Sequence, residues 1–172
     1  MEKNLTKYTN FYDKKIFKSC IKNGGGNIQG VKIDNELIIL KTFGDIHKHK
    51  YTIEKNNYMI ISGCHFAPIL KYYDDKNRIL GITDCGISLD VLKQTDKNRY
   101  NKYYKLYNKQ IEIATTELLD KYNLYHNDLE YKNICVDENN KIRLIDFDWA
   151  MPKICFYGTS YKKTNFICEP LK

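Results

Sequence analysis

Short apolar runs bounded by turn residues fill the first quarter of the chain. IQGVKI (28–33) and ELIILKTF (36–43) are strand-like runs rich in Ile, Val and Leu, with only Asp34 and Asn35 between them. That is the signature of two antiparallel strands joined by a two-residue turn. IFKSCI (16–21) reads as a further strand ahead of them, set off by the glycine cluster NGGGN. A helical period follows. IHKHKYTIEKNNYMIIS (46–62) predicts a helix whose shared face holds Ile46, Lys50, Ile53, Asn57 and Ile61, with Glu54 beside it. Beyond Pro68, ILKYY and RILGIT read as two more strands around the turn at 74–77. ISLDVLK starts with Ser88 as a helix cap and leads into the longest helical pattern, Arg99 to Tyr122. There Tyr107, Ile111, Ala114, Leu118 and Tyr122 recur every three or four residues, and Asn123 ends the run. NICVD and KIRLID then form two short strands around the turn at 138–140. The predicted order is β-β-β-α-β-β-α-loop-β-β, an α+β fold with its sheet first.

Composition narrows the class. With 172 residues, 42% of them hydrophobic, the chain can bury a core as one domain or as two small lobes around a cleft. No apolar run is long enough to span a bilayer, and MEKNLTKYTN lacks a signal-peptide core, so a cytoplasmic, intracellular protein without a membrane partner is the expectation. The six cysteines show no CxxC spacing, which argues against zinc-ribbon and redox chemistry and for buried, reduced thiols. His47, His49 and His65 have no partner set at ligand spacing. The formal charge of +7 favours anionic partners, but scattered lysines keep surfaces wet. Net charge is the sole argument for a nucleic-acid-binding module, and the Lys/Tyr interleaving at 99–109 fits a half-buried helix better.

The chemistry concentrates in YHNDLEYKNICVDENNKIRLIDFDWA (125–150). His126, Asp128 and Asn133 fall between the long helix and the final hairpin, and Asp146 closes the second strand of that hairpin. Both acids therefore emerge at one end of it. Phosphoryl transfer requires a carboxylate to orient the attacking hydroxyl, and oxygen ligands to hold Mg²⁺ on the phosphates. Asp128 suits the first task, Asn133 and Asp146 the second.

HNDLEYKNICV and LIDFDWA resemble the catalytic loop and metal-binding segment of the protein-kinase-like superfamily, in order and in spacing. The resemblance implies ATP and Mg²⁺ as cofactors and extends upstream. NGGGNIQGV is similar to the glycine-rich phosphate loop through Gly24, Gly26 and Val31, the valine covering the adenine; Gln29 stands where that pattern has its third glycine. IILK, ending at Lys41, resembles the lysine-bearing strand, with Glu54 as the helix carboxylate that pairs with it. GITDCGISL resembles the hinge, where the backbone of Asp84 and Cys85 would meet adenine.

Departures shape the functional expectation. Asn127 stands where many protein kinases carry the arginine of a phosphorylation switch, and Glu130 where Ser/Thr kinases carry a lysine. Lys132, at the place of the tyrosine-kinase arginine, could reach the transferred phosphate. Asp148 replaces the glycine after Asp146-Phe147, as in choline, ethanolamine and aminoglycoside kinases, where a second acid can help hold metal. Past Asp148 the sequence is short, with Gly158-Thr159 faintly similar to a late activation segment. The expectation is a kinase-like bilobal α+β fold: an N-lobe and hinge over 1–86 and an abbreviated helical C-lobe over 87–172. Its activity would be transfer of the γ-phosphate to a protein Ser/Thr hydroxyl. A small-molecule kinase and a pseudokinase or regulatory nucleotide-binding module stand as alternatives.

Overall fold

The computed structural model describes residues 26–152. The strand read at 16–21, Gly24, Cys20, Cys155, Cys168, Gly158-Thr159 and the rest of the tail lie outside the described residues.

Strands β1 (Gly26–Ile33) and β2 (Glu36–Phe43) form an antiparallel hairpin. Asp34 and Asn35 both take positive φ, 49° and 66°, the geometry of a two-residue turn whose twist matches that of its strands. That turn sets Ile33 opposite Glu36 and so Ile28 opposite Lys41. With β3 (Leu70–Asp74) and β4 (Ile79–Thr83) the hairpin completes a four-stranded antiparallel sheet in the order β1-β2-β4-β3.

The sheet is apolar on both faces. Val31, Ile33, Ile38 and Leu40 form a small cluster on one side. Ile39, Phe43, Leu80 and Ile82 face the other, where they join the main core. That core runs through Tyr51, Tyr58 and Ile61 of α1 (Lys48–Ile60) and its C-cap to Tyr100, Tyr107, Ile111, Ala114 and Leu118 of α3 (Lys97–Tyr122), then to Ile134, Ile142, Leu144 and Phe147. Burying a large apolar side chain contributes about 1.5–3 kcal/mol, so this continuous cluster ties the sheet to the helices.

The expected face of the first helix needs correction. Ile46 is 82% exposed and Ile53 38% exposed, whereas Tyr51, Glu54, Asn57 and Tyr58 are buried. Ile46 belongs to a 3-10 turn (Asp45–His47) before the helix proper. The helix buries polar groups because Lys41 of β2 and the backbone carbonyls of Phe147 and Ala150 face it.

The second half contains α2 (Leu89–Thr95), capped by the Ser88 hydroxyl accepting from Val91 N–H at 3.3 Å. Asp96 caps α3 by accepting from Arg99 N–H at 2.9 Å, so one expected helical stretch is two helices with a cap between them. Asn123, at φ 53°, ends α3 in the left-handed conformation. Three short strands escaped the sequence reading: β5 (Ile87–Ser88), β6 (Leu124–Tyr125) and β9 (Met151–Pro152). β5 extends the β7 (Ile134–Val136) and β8 (Ile142–Leu144) hairpin to three strands, and β6 pairs with β9. Cys64, Cys85 and Cys135 are buried thiols. No helix among the described residues is long and apolar enough to cross a membrane.

Candidate active site

Three elements remote in sequence converge on one ammonium. Alternation along β2 puts Lys41 on the α1 side of the sheet, between Ile39 and Phe43. There its Nζ donates to Glu54 Oε2 of α1 at 2.7 Å and to Asp146 Oδ1, after β8, at 2.6 Å. Burial works against the charge on Lys41, but the two carboxylates outweigh it and hold the lysine pKa above its ordinary value. Glu54 is 1% exposed, and burial pushes its carboxyl up to about 7 even with Lys41 beside it.

The next part of the site is built from the loop after β6. Asn133, buried at the end of a 3-10 turn (Tyr131–Asn133), donates its Nδ2 to Asp128 O at 2.8 Å and to Asp128 Oδ2 at 2.9 Å. The donations aim the amide oxygen of Asn133 away from Asp128. Asn133 O also accepts from Ile145 N–H at 2.9 Å, which links the loop to the strand that delivers Asp146. His126 Nε2 lies 2.9 Å from the Ile145 carbonyl; burial lowers the imidazole pKa, so the neutral ring donates there. The residue braces the segment that delivers Asp146.

Asp146 itself has φ 67° and ψ 65°, the left-handed region that a non-glycine residue seldom occupies. A 3-10 turn (Phe147–Trp149) follows. Phe147 is fully buried between Tyr58, at a ring separation of 5.4 Å, and His126, at 4.7 Å. Asp148 pairs through Oδ2 with Lys50 Nζ at 2.8 Å, while its buried Oδ1 has no hydrogen-bond partner. Lys50, Glu54 and Asn57 thus line one face of α1, and each meets Lys41 or the 146–150 segment.

Other expected residues fall elsewhere. Val31 sits on the sheet face opposite Lys41, packed with Ile33, Ile38 and Leu40, because it pairs with Ile38 and directly opposed residues share a face. The residue on the Lys41 side is Ile28, half-buried and opposite Lys41. Counting outward from the Asp34-Asn35 turn would have found it. Gly26 opens β1 opposite Phe43. Asp84 gives its N–H to Leu37 O at 3.2 Å, and Cys85 is buried with its thiol toward Thr83 O. Lys132 is exposed and pairs with Glu130 Oε2 at 2.9 Å; that contact, with Asp128 and Asp146 nearby, raises its pKa.

The chain is 25% identical over 140 residues to the serine/threonine-protein kinase PKH3 of Saccharomyces cerevisiae. The relationship is kinase-like and distant. It covers 78% of this chain but only 15% of that protein's length. No family model matches the chain.

The donor set fits a metal–triphosphate. An ammonium flanked by carboxylates suits phosphate oxygens, and hard divalent cations take carboxylate and amide oxygens. The unpartnered, buried Oδ1 of Asp148 is an acceptor of that kind. No group of three or more His, Cys, Asp and Glu at ligand spacing occurs among the described residues. A cation held here would therefore draw on Asn133 and on phosphate oxygens to complete its shell.

Proposed function

We propose that the protein is an ATP- and Mg²⁺-dependent phosphotransferase that phosphorylates a Ser/Thr hydroxyl of a protein. The observation that carries this reading is the convergence of Lys41, Glu54 and Asp146. The Asp128–Asn133 pair on the adjoining loop and the distant kinase relationship support it. In this reading residues 26–86 belong to the lobe that covers the nucleotide, with Asp84 and Cys85 at its hinge, and residues 87–152 to the lobe that carries the acids.

Bound ATP supplies the γ-phosphoryl group, and Mg²⁺ neutralises charge on the phosphates. Lys41, kept charged and aimed by Glu54, holds the non-transferred phosphates. Asp146 and the amide oxygen of Asn133 hold the metal, with Asp148 Oδ1 as an additional ligand. Asp128 has Oδ2 engaged by Asn133, so its Oδ1 orients the acceptor hydroxyl and receives its proton. Ile28 and Ile39 supply the apolar cover beside Lys41. A protein acceptor is favoured by the distant similarity to a serine/threonine-protein kinase.

A second reading, a regulatory module that binds nucleotide without transferring phosphate, draws on the pairing of Asp148 with Lys50. Turnover of labelled ATP separates the two. With generic protein acceptors, compared with aminoalcohols and aminoglycosides, the wild type transfers phosphate to protein. Asp128→Asn loses transfer by a factor on the order of 100 or more while keeping ATP affinity. Equal turnover by the two proteins removes the role given to Asp128.

A further inference from the structure

Four carbonyls of the Asp146 segment are held by side chains from elsewhere. His126 holds Ile145 O. Asn57, buried on α1, donates Nδ2 to Phe147 O at 2.8 Å and to Ala150 O at 3.0 Å. Asn127, exposed on the loop, donates Nδ2 to Trp149 O at 3.1 Å. The two carboxamides approach the turn from different elements and between them engage three of its four carbonyls. The backbone contributes the 3-10 bonding of the turn itself, with Ala150 N–H donating to Phe147 O at 3.2 Å, and the β6–β9 pairing that begins at Met151. The turn follows Asp146 in the left-handed conformation, which Asp and Asn tolerate better than most residues but which the surroundings still have to hold.

We propose that Asn57 and Asn127 are positioning residues, a two-sided amide clamp that keeps the turn carrying Asp146 and Asp148 in register with α1. Asn127 itself adopts φ 61°, a conformation asparagine tolerates better than most residues, and this brings its short side chain within reach of Trp149 O. Asn57 lies one turn beyond Glu54 on the same helix face, so the helix that aims Lys41 also grips the segment that supplies Asp146. The two sides of the site move as one body. Lys50 adds a third tie, pairing with Asp148 and lying over the Trp149 ring at 5.4 Å. The clamp stands on the geometry alone; its consequence for catalysis rests on the phosphotransfer reading.

Trp149, the single tryptophan of the chain, sits inside the clamped turn and reports on it. Asn127→Gly keeps the left-handed backbone accessible and removes only the amide. In uniformly ¹⁵N-labelled protein, the backbone order parameter at Trp149 should fall from about 0.85 in wild type to below about 0.6 in Asn127→Gly, with far-ultraviolet circular dichroism unchanged. Asn57→Ala extends the loss to Phe147 and Ala150; if that buried variant does not fold, Asn127→Gly decides alone. Order retained at Trp149 in Asn127→Gly overturns the clamp. In turnover, kcat of Asn127→Gly should drop by about 10- to 100-fold with KM for ATP little changed, the pattern of a misaimed group rather than a lost binding contact. A wild type that consumes no ATP sinks the phosphotransfer reading, while the relaxation data still accept or reject the clamp.

Discussion

Replacing Glu54 with glutamine should make the protein more stable at pH 8 and less able to use ATP. Glu54 is 1% exposed, and burial raises its carboxyl from the ordinary 4.5 to about 7 despite the Lys41 ammonium at 2.7 Å. Between those values the folded protein keeps a proton that the unfolded chain has released. Its contribution to stability is therefore complete below about pH 4.5 and is lost as pH rises through about 7. At 1.36 kcal/mol per unit the loss amounts to about 3 kcal/mol. Glutamine has the same shape and no titration, so Asn-like neutrality at this position removes the slope. Lys41 stays paired with Asp146 in the variant. His126 works in the opposite direction: burial lowers its pKa below 6.5, so its contribution is present above that value and fades on acidification. The wild type combines two opposed slopes, and Glu54→Gln should expose the histidine slope alone. Urea unfolding of both proteins at half-unit steps from pH 4.5 to 8 measures this. The difference, variant minus wild type, should grow by up to about 3 kcal/mol in favour of the variant across the range. A difference that is flat, or that grows in favour of wild type, would refute the reasoning.

Lys41→Met should behave in the reverse sense. It leaves Glu54 and Asp146 without their shared cation, and at pH 8 it should cost about 3 kcal/mol in urea unfolding, less at pH 5 where Glu54 can take up a proton. Gly86→Ala should be strongly destabilising for a different reason. Gly86 has φ +84° and its added Cβ would run into the Val136 backbone carbonyl, so the loss should be about 3 kcal/mol or more, read as a lowered melting temperature.

Much of the sheet was readable because its cues are local. The Asp34-Asn35 turn, the β-branched apolar run in ELIILKTF and the Ser88 cap each occupy a few adjacent residues and have one physical outcome. The helix at 48–60 and its C-cap bury Asn57 and Ile61 of the expected face but leave Ile46 and Ile53 exposed. Periodicity assumes that a buried face is apolar, and this one buries Glu54 and Asn57 because their partners are an ammonium and two backbone carbonyls. Strands of two residues such as β5, β6 and β9 carry no period to detect. The break at Asp96 was masked by helical residues on either side of a cap that costs only one position. Motif spacing points to Val31, whereas strand parity puts Ile28 on the Lys41 side of the sheet; the turn that fixes this register is in the sequence. The amides of Asn57 and Asn127 were beyond sequence reasoning, since their partners are carbonyls 22 to 93 residues away that any residue type would supply.

The central claim, that Lys41, Glu54 and Asp146 form the floor of a metal–triphosphate site, is tested most directly by the melting temperature with and without Mg²⁺ and ATP. Ligand at 100-fold over its dissociation constant adds about 2.7 kcal/mol to the folded state, a rise of about 5 °C or more for a chain of this size. Wild type should show that rise only when Mg²⁺ and ATP are both present, and Lys41→Met and Asp146→Asn should show little of it. No shift in wild type, or an equal shift in all three proteins, would contradict the account.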